Sequence, residues 1–338
     1  MQTRTRVRAG ALITAVAAAT TLSTLPAEAA AAPAWAATLL PLPAGYPNAS
    51  GFLTGTDGHG GYAGEFLIGD TSQVVTWTGG KPTVRGVPAG FEFASVRDEN
   101  SSGVVLGYAI DYDTGHSQTF TLDGNGFHVL PVPAGYDSAY GVAINNRGDV
   151  LAQLVTDDPA KSATALWPAL GNGPVVIPNA HRSEVAADLD EDGTILLNYD
   201  DHGAFLWKDG VSRDLTVPAG DQYLYASAIK NGSVVGSGAT GLLWRTPDDP
   251  EALPDSDSAR AVNASGLIVG RQPQPSTPYG PVAAWQGTTA LGRLPMPEGY
   301  AKGSGYAVGD DGTIVGVTSN GPLDEGGVPV VWRSTLHG

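Results

Sequence analysis

Three stretches of this sequence carry residue types with chemical potential. Asp188-Leu189-Asp190-Glu191-Asp192-Gly193 opens like a calcium loop, in which alternate carboxylates suit a hard cation. The twelfth position, where a bidentate Glu belongs, is Tyr199, and in repeat register the stretch matches hairpin turns elsewhere in the chain. Gly236-Ser237-Gly238-Ala239-Thr240-Gly241 fits G-x-G-x-x-G, yet no helical pattern follows to offer an N-terminus to a phosphate. Arg147-Gly148-Asp149 spells an adhesion tripeptide among turn residues. The histidines, His59, His116, His128, His181, His202 and His337, lack metal-ligand spacing, and neither Gly-x-Ser-x-Gly nor Ser-x-Asp-x-Gly-x-x-Trp occurs. Paired-acid glycoside chemistry needs two placed carboxylates; 34 acidic residues make scattered pairs uninformative. The reading assigns no catalytic residue, no metal and no cofactor, and an enzyme is the lesser expectation.

The elements that would position any site come from a repeat. A short apolar segment ending in Trp recurs at Trp77, Trp167, Trp207, Trp244, Trp285 and Trp332, with a seventh copy around Phe120 carrying Phe instead. Upstream of most copies lies a turn closed by glycine and then a β-branched pair, as in the runs from Asn145, Asp190, Asn231, Asn263 and Asp310. Each unit reads as four strands: a small-residue strand, a tight turn, a Val/Ile strand, a strand ending on the aromatic, and a fourth ending on proline, where no ladder hydrogen bond is required. Repeated four-stranded units of this length predict an all-β, seven-bladed β-propeller of antiparallel blades. The approximate repeats are 44–86, 87–130, 131–177, 178–216, 217–253, 254–294 and 295–338. The last unit lacks a convincing fourth strand, and residues 37–43 resemble fourth strands without three strands before them. The N-terminal segment is therefore expected to pair outside Val328–Trp332 and close the ring, which also removes free sheet edges.

Arg4, Arg6 and Arg8, followed by an apolar run to Leu22 and small residues around Ala29 and Ala36, form the layout of a secretory leader over residues 1–36. Residues 37–338 then make a single propeller domain, expected to be secreted, extracellular and monomeric, with no membrane partner once the leader is gone. Forty-six glycines and 25 prolines in a chain that is 42% hydrophobic fit many short strands and tight turns. A net charge of −16, more negative still without the arginine-rich leader, argues against nucleic acid as a partner. No cysteine is present, so closure rather than disulfides must hold an exported chain together.

The run His202-Gly203-Ala204-Phe205-Leu206-Trp207, with turns like Ile144-Asn145-Asn146-Arg147-Gly148 and repeated Val-Val-Gly, resembles the bacterial extracellular HAF-repeat proteins over most of residues 40–338. Only the fourth unit keeps the His-Gly-Ala-Phe run. The resemblance implies a repeated β architecture outside the cytoplasm and no general catalytic activity, and it carries over no functional residue.

In such a ring the loops from second to third strands share a face with the joins between blades. That face holds Asp111, Asp113, His116, Asp200, Asp201, His202, Arg271, Asp324 and Glu325 on variable loops, and Tyr46, Phe91, Tyr136 and Tyr300 on the joins. Rings, carboxylates and imidazoles there would suit an extracellular glycan or a protein loop. Taken singly, each aromatic is better explained as a plug between blades and each carboxylate as solvated loop. The favoured function is a non-catalytic ligand-binding or protein-interaction propeller. The alternatives are an extracellular polysaccharide hydrolase or lyase and a structural cell-envelope repeat protein.

Overall fold

The computed structural model describes residues 35–158, 161–171, 173–181, 183–199, 203–274 and 280–335. Almost all of the expected leader lies outside these residues. The described residues form seven sheets of four antiparallel strands, numbered here in chain order. Blade one is β2 (Gly51–Thr56), β3 (Tyr62–Ile68), β4 (Thr71–Thr78) and β5 (Lys81–Gly86). The next five blades begin with β6 (Phe93–Glu99), β10 (Ser138–Ile144), β14 (Val185–Leu189), β18 (Tyr225–Lys230) and β22 (Ser258–Val262). Blade seven holds β26 (Lys302–Val308), β27 (Ile314–Ser319) and β28 (Val328–Ser334), with β1 (Trp35–Leu39) added outside β28. First strands pack against one another around the ring, and β2 touches β26 as it touches β6, so the blades close into a propeller.

The closing strand sits slightly upstream of its expected position. Trp35 pairs with Ser334 and Leu39 with Val330 in an antiparallel register. Beyond it, Leu40 and Leu42 pack into the core of blade one, between Trp77 and Val331.

The recurrent proline joins and the recurrent tryptophans explain each other. The indole N–H of Trp77 donates to the Pro41 carbonyl at 2.8 Å, that of Trp285 to Pro254 at 2.9 Å and that of Trp332 to Pro295 at 2.7 Å. Trp244 donates to Thr216 at 3.0 Å. A segment leaving the sheet at proline frees a carbonyl, and a buried Trp needs an acceptor. In blade two the register of these tryptophans belongs to Leu122, paired with Val105, rather than to Phe120. Phe120 lies two residues earlier on the same face, over Gly107, where an added Cβ would fall 2.5 Å from its ring.

Neighbouring blades are stitched by side chains from polar positions in the second strands and turns. Gln153 and Asn198 accept the backbone N–H of Ala186 and Ala226, each in the first strand of the next blade, at 2.9 and 2.8 Å. At the hairpin turns Asn100 donates to the Asn145 carbonyl, Asn145 to that of Asp190, and Asn263 to that of Gly309. Asn198 is buried and also donates to the Ala226 carbonyl at 2.9 Å. Replacing it with Ala strands both backbone groups, so Asn198→Ala should cost about 2–3 kcal/mol, read as a lowered urea midpoint at unchanged m-value.

Candidate functional site: the axial channel

The structure uses most of the expected site residues to build loops. Tyr46, Phe91, Tyr136 and Tyr300 each close a β-turn, the amide bonding back to the carbonyl of Pro43, Pro88, Pro133 or Pro297. The glycine before each ring has φ between 85° and 93°, the left-handed value that this turn requires and that glycine adopts without strain. Phe91 and Tyr136 pack into the cores beside their joins, Tyr46 is exposed, and Tyr300 borders a shallow groove along Leu39–Gly45. Asp111 folds its own loop: one oxygen accepts the N–H of Asp113 and Thr114, and the other accepts the Thr114 hydroxyl. The Thr114 hydroxyl and these amides hold the exposed Asp111 below the usual carboxylate range. Asp113 and His116 are exposed on the same loop, and Asp324 and Glu325 are exposed in blade seven. Asp200, Asp201 and His202 lie outside the described residues. Of the described members of the set, Arg271 alone borders the axial channel.

The other sequence candidates resolve into local structure. The three aspartates of the calcium-like stretch diverge: Asp188 accepts the N–H of Ile229, Asp190 those of Asn231 and Gly232, and Asp192 pairs with Lys208. Arg147 folds back onto buried Asp149 at 2.5 Å, which closes the adhesion-like tripeptide on itself. Gly236–Gly241 spans the hairpin between Ser233–Ser237 and Gly241–Trp244. Among the described residues no group of three His, Asp or Glu side chains has a metal-binding arrangement.

What organises the channel is a defect shared by all seven first strands. Each carries a β-bulge at the same register, skipping Thr54, Arg97, Val142, Ala187, Ser227, Arg260 and Tyr306. A bulged residue is left out of the ladder and its side chain is re-aimed. All seven border both axial cavities, so they form a waist between them. The cavity toward the loops and joins is about 460 Å³ and is bordered by Tyr225, Ser258 and Arg271. The cavity toward the hairpin turns is about 220 Å³ and is bordered by Asp57, Asp98, Glu99, Asp188, Glu191, Lys230 and Asp310.

Charge is sorted along this axis. At the waist, Arg260 lies over the Tyr306 ring at 4.2 Å and Arg97 stands 6.0 Å from the Tyr108 ring. Neither guanidinium has an ion pair or hydrogen bond among the described residues. Burial, and with it the repulsion of Arg271 and Arg97, pulls Arg260 below its ordinary value, which marks three cations facing one space. Below the waist the balance reverses. Burial pushes Asp98 up to about 6 and, with the Asp98 charge opposite, Asp188 up to about 7. Asp98 and Asp188 are bulge neighbours that each reach the next blade, accepting the N–H of Ile144 and Ile229 at 2.9 and 2.7 Å. Lys230 is the cation of this half, 2.5 Å from Glu191 and 4.0 Å from Asp310. Burial opposes its charge, but the Glu191 pair outweighs that and holds the ammonium above its ordinary range.

Sequence reasoning passed over Arg97, Asp98, Glu99, Arg260 and Tyr306. The visible signal was departure from repeat: charged or bulky residues at positions where most first strands carry small or apolar ones.

These blades and their charge-sorted axis define a seven-bladed β-propeller with a polar channel. No protein-family profile matches the chain, and no curated protein matches it. Solved structures do. The β-propeller domain of the Trilobed protease from Pyrococcus furiosus is 11% identical, covers 80% of this chain and 92% of its own, and superposes with a TM-score of 0.57. An oligogalacturonate lyase in complex with manganese is 12% identical over 89% of this chain and 93% of its own, TM-score 0.59. Oligogalacturonate lyase from Vibrio parahaemolyticus is 9% identical over 88% and 92%, TM-score 0.59. At these identities the likeness is one of fold. The Pyrococcus domain is described as having an open velcro topology, whereas β1 closes the present ring.

Proposed function

We propose that this protein is a secreted, monomeric ligand-binding propeller that takes the anionic group of an extracellular ligand into the loop-side half of its channel. Arg97 and Arg260 carry the reading, because two guanidiniums border an open cavity and neither makes an ion pair or hydrogen bond among the described residues. Arg271 adds a third cation; it is 3.9 Å from Asp257 and bonds Ser258 at 3.2 Å. Guanidinium groups bind carboxylates through paired hydrogen bonds, and Tyr225 offers a half-exposed ring at the same mouth. A carboxylate-bearing glycan is the ligand class these features favour, and oligogalacturonate, named for two of the fold neighbours, belongs to that class. On this reading recognition takes place on the loop side, with the contact residues at the axis rather than on the loops. The export signal and the HAF-like run support an extracellular setting; N-terminal sequencing of protein recovered from culture medium tests it.

Titration with a triuronate and a neutral trisaccharide tests the binding reading. The acidic sugar should bind and the neutral one should not, and Arg97→Ala/Arg260→Ala should weaken binding at least thirtyfold, about 2 kcal/mol for two charge-assisted contacts. Equal affinity in the double variant defeats the reading, and binding of an acidic peptide instead would replace the ligand class.

A second reading, a polysaccharide hydrolase or lyase, is favoured by one observation: Asp98 and Asp188 sit beside the waist with acidities near neutrality, the range suited to general acid and base work. Turnover of the triuronate that disappears in Asp98→Asn would establish it.

A further inference from the structure

We propose that the turn-side cavity is a separate binding site for a primary ammonium group, seated between Asp57 of blade one and Asp98 and Glu99 of blade two. The proposal does not depend on the anion reading, since it concerns the opposite side of the waist.

Glu99 is the departure that points to it. The same register holds Ile144, Leu189, Ile229, Val262 and Val308 in five other blades and Thr56 in the remaining one. Four of these five apolar residues are counted in the buried core or pack against it beside their neighbours, and Val308 packs there too. A carboxyl in that position forgoes apolar packing and must be desolvated. Glu99 is 9% exposed, and its Oε2 has no hydrogen-bond partner among the described residues. The neighbouring strand has made room for it. The facing residue is Gly55, where a Cβ would lie 2.8 Å from the Glu99 Cβ and 3.4 Å from Oε2; other first strands carry Ala143, Ala228, Ala261 and Ala307 at that step.

The cavity already shows what it accepts. On its far side Lys230 places an ammonium 2.5 Å from Glu191 and 4.0 Å from Asp310. On the near side Asp57, Asp98 and Glu99 border the same 220 Å³ space and make no ion pair among the described residues, although the Lys230 charge reaches Asp98. An ammonium suits the arrangement better than a metal ion: its three N–H donors satisfy separated carboxylates, and no metal-like cluster forms among the described residues. The ligand class is therefore an aliphatic amine, supplied by a free diamine or by a lysine side chain.

Protonation supports the geometry. Burial, and then the charges of Asp57 and Asp98, push Glu99 up to about 8, so at neutral pH its carboxyl holds a proton. An arriving ammonium would bind the ionised form and displace that proton to solvent. Binding should then tighten as pH rises toward 8, by up to about tenfold per unit.

Calorimetric titration of the full chain with putrescine and with Nα-acetyl-lysine methylamide, at pH 6.5 and 7.5 in two buffers of different ionisation enthalpy, tests this. One site is expected, with about one proton released and tighter binding at pH 7.5. Preference for putrescine identifies a free amine, and preference for the lysine derivative a polypeptide side chain. Glu99→Gln should weaken binding at least tenfold and remove the proton release. Glu99→Leu, which restores the apolar register, should abolish binding while raising Tm, so loss of function cannot be mistaken for misfolding. Because Arg97 and Arg260 also border this cavity, Arg97→Ala/Arg260→Ala should bind the amine at least as tightly as the parent while losing the anion, which separates failure here from failure of the anion reading. No heat from either amine at millimolar concentration, equal affinity in Glu99→Gln, or calcium bound in preference to amine would overturn the proposal.

Discussion

A variant that begins at Leu40 should melt about 5–15 °C below one that begins at Trp35, the largest loss expected from removing so short a segment. The reason is positional. β1 is the outer strand of blade seven, and removing it uncovers Val330, Val331 and Trp332, which are at most 1% exposed. Trp35 and Ala37 also leave the cluster that contains Leu267, Val282 and Trp332. The cost combines lost ladder hydrogen bonds with apolar surface returned to water at about 25 cal/mol per Å². Because β1 leads directly into Leu40, Pro41 and Leu42, which serve blade one, it also joins the last blade to the first. The same geometry bears on the proposed removal of a leader. Cleavage after Ala29 leaves the strand whole, whereas cleavage after Ala36 removes the partners of Ser334 and Arg333. Thermal melts of the two proteins decide the matter: equal Tm values would mean that the ring does not depend on its latch.

Blade number, hairpin turns and latch were legible because each leaves a mark that recurs. The Trp positions, the turn glycines and the proline joins repeat in step, and the orphan fourth strand at the N-terminus matches the missing one at the C-terminus. Phe120 was assigned the register of Leu122 because residues two apart share a strand face, and only the pairing of Leu122 with Val105 separates them. The channel was less legible for a physical reason. A bulge arises when an inner strand is fitted to its partner, and nothing local at Val142 or Ala187 announces it. Arg260 and Tyr306 were visible inside small-residue strands, but their convergence depends on seven bulges falling at one height. The loop residues are ambiguous in the sequence because chemical side chains on variable loops have two uses. Asp111 builds its own turn, and loop-face acids such as Asp137 and Asp221 stitch the joins by accepting the N–H of Asp157 and Ala239.

Stability should fall, not rise, as the solution is taken from pH 5 to pH 8, with Tm lower at pH 8 by at least about 5 °C. Four carboxyls recessed between blades or in the channel dictate the sign. Burial pushes Asp98 to about 6, Glu65 and Asp188 to about 7, and Glu99 to about 8. An unfolded chain releases these protons near pH 4. Between pH 4 and 8 the folded protein therefore holds more protons than the unfolded one, and raising pH favours unfolding. The net charge of −16 acts in the same direction, since self-repulsion grows as carboxyls ionise. Asp192 works oppositely but in another window. Burial disfavours its charge, yet Lys208 and Thr194 outweigh this and hold it down to about 2, so its contribution is lost only below pH 4. Maximum stability is thus expected near pH 4–5. Glu65 supplies the control. It accepts the Val96 N–H of the next blade at 2.8 Å, as the neutral Gln153 and Asn198 accept those of Ala186 and Ala226 in the blades after theirs. Glu65→Gln keeps the acceptor and removes the titration, so it should raise Tm at pH 8, leave it nearly unchanged at pH 5 and flatten the slope between them. A variant with the parental slope would show that the recessed carboxyls are not its source.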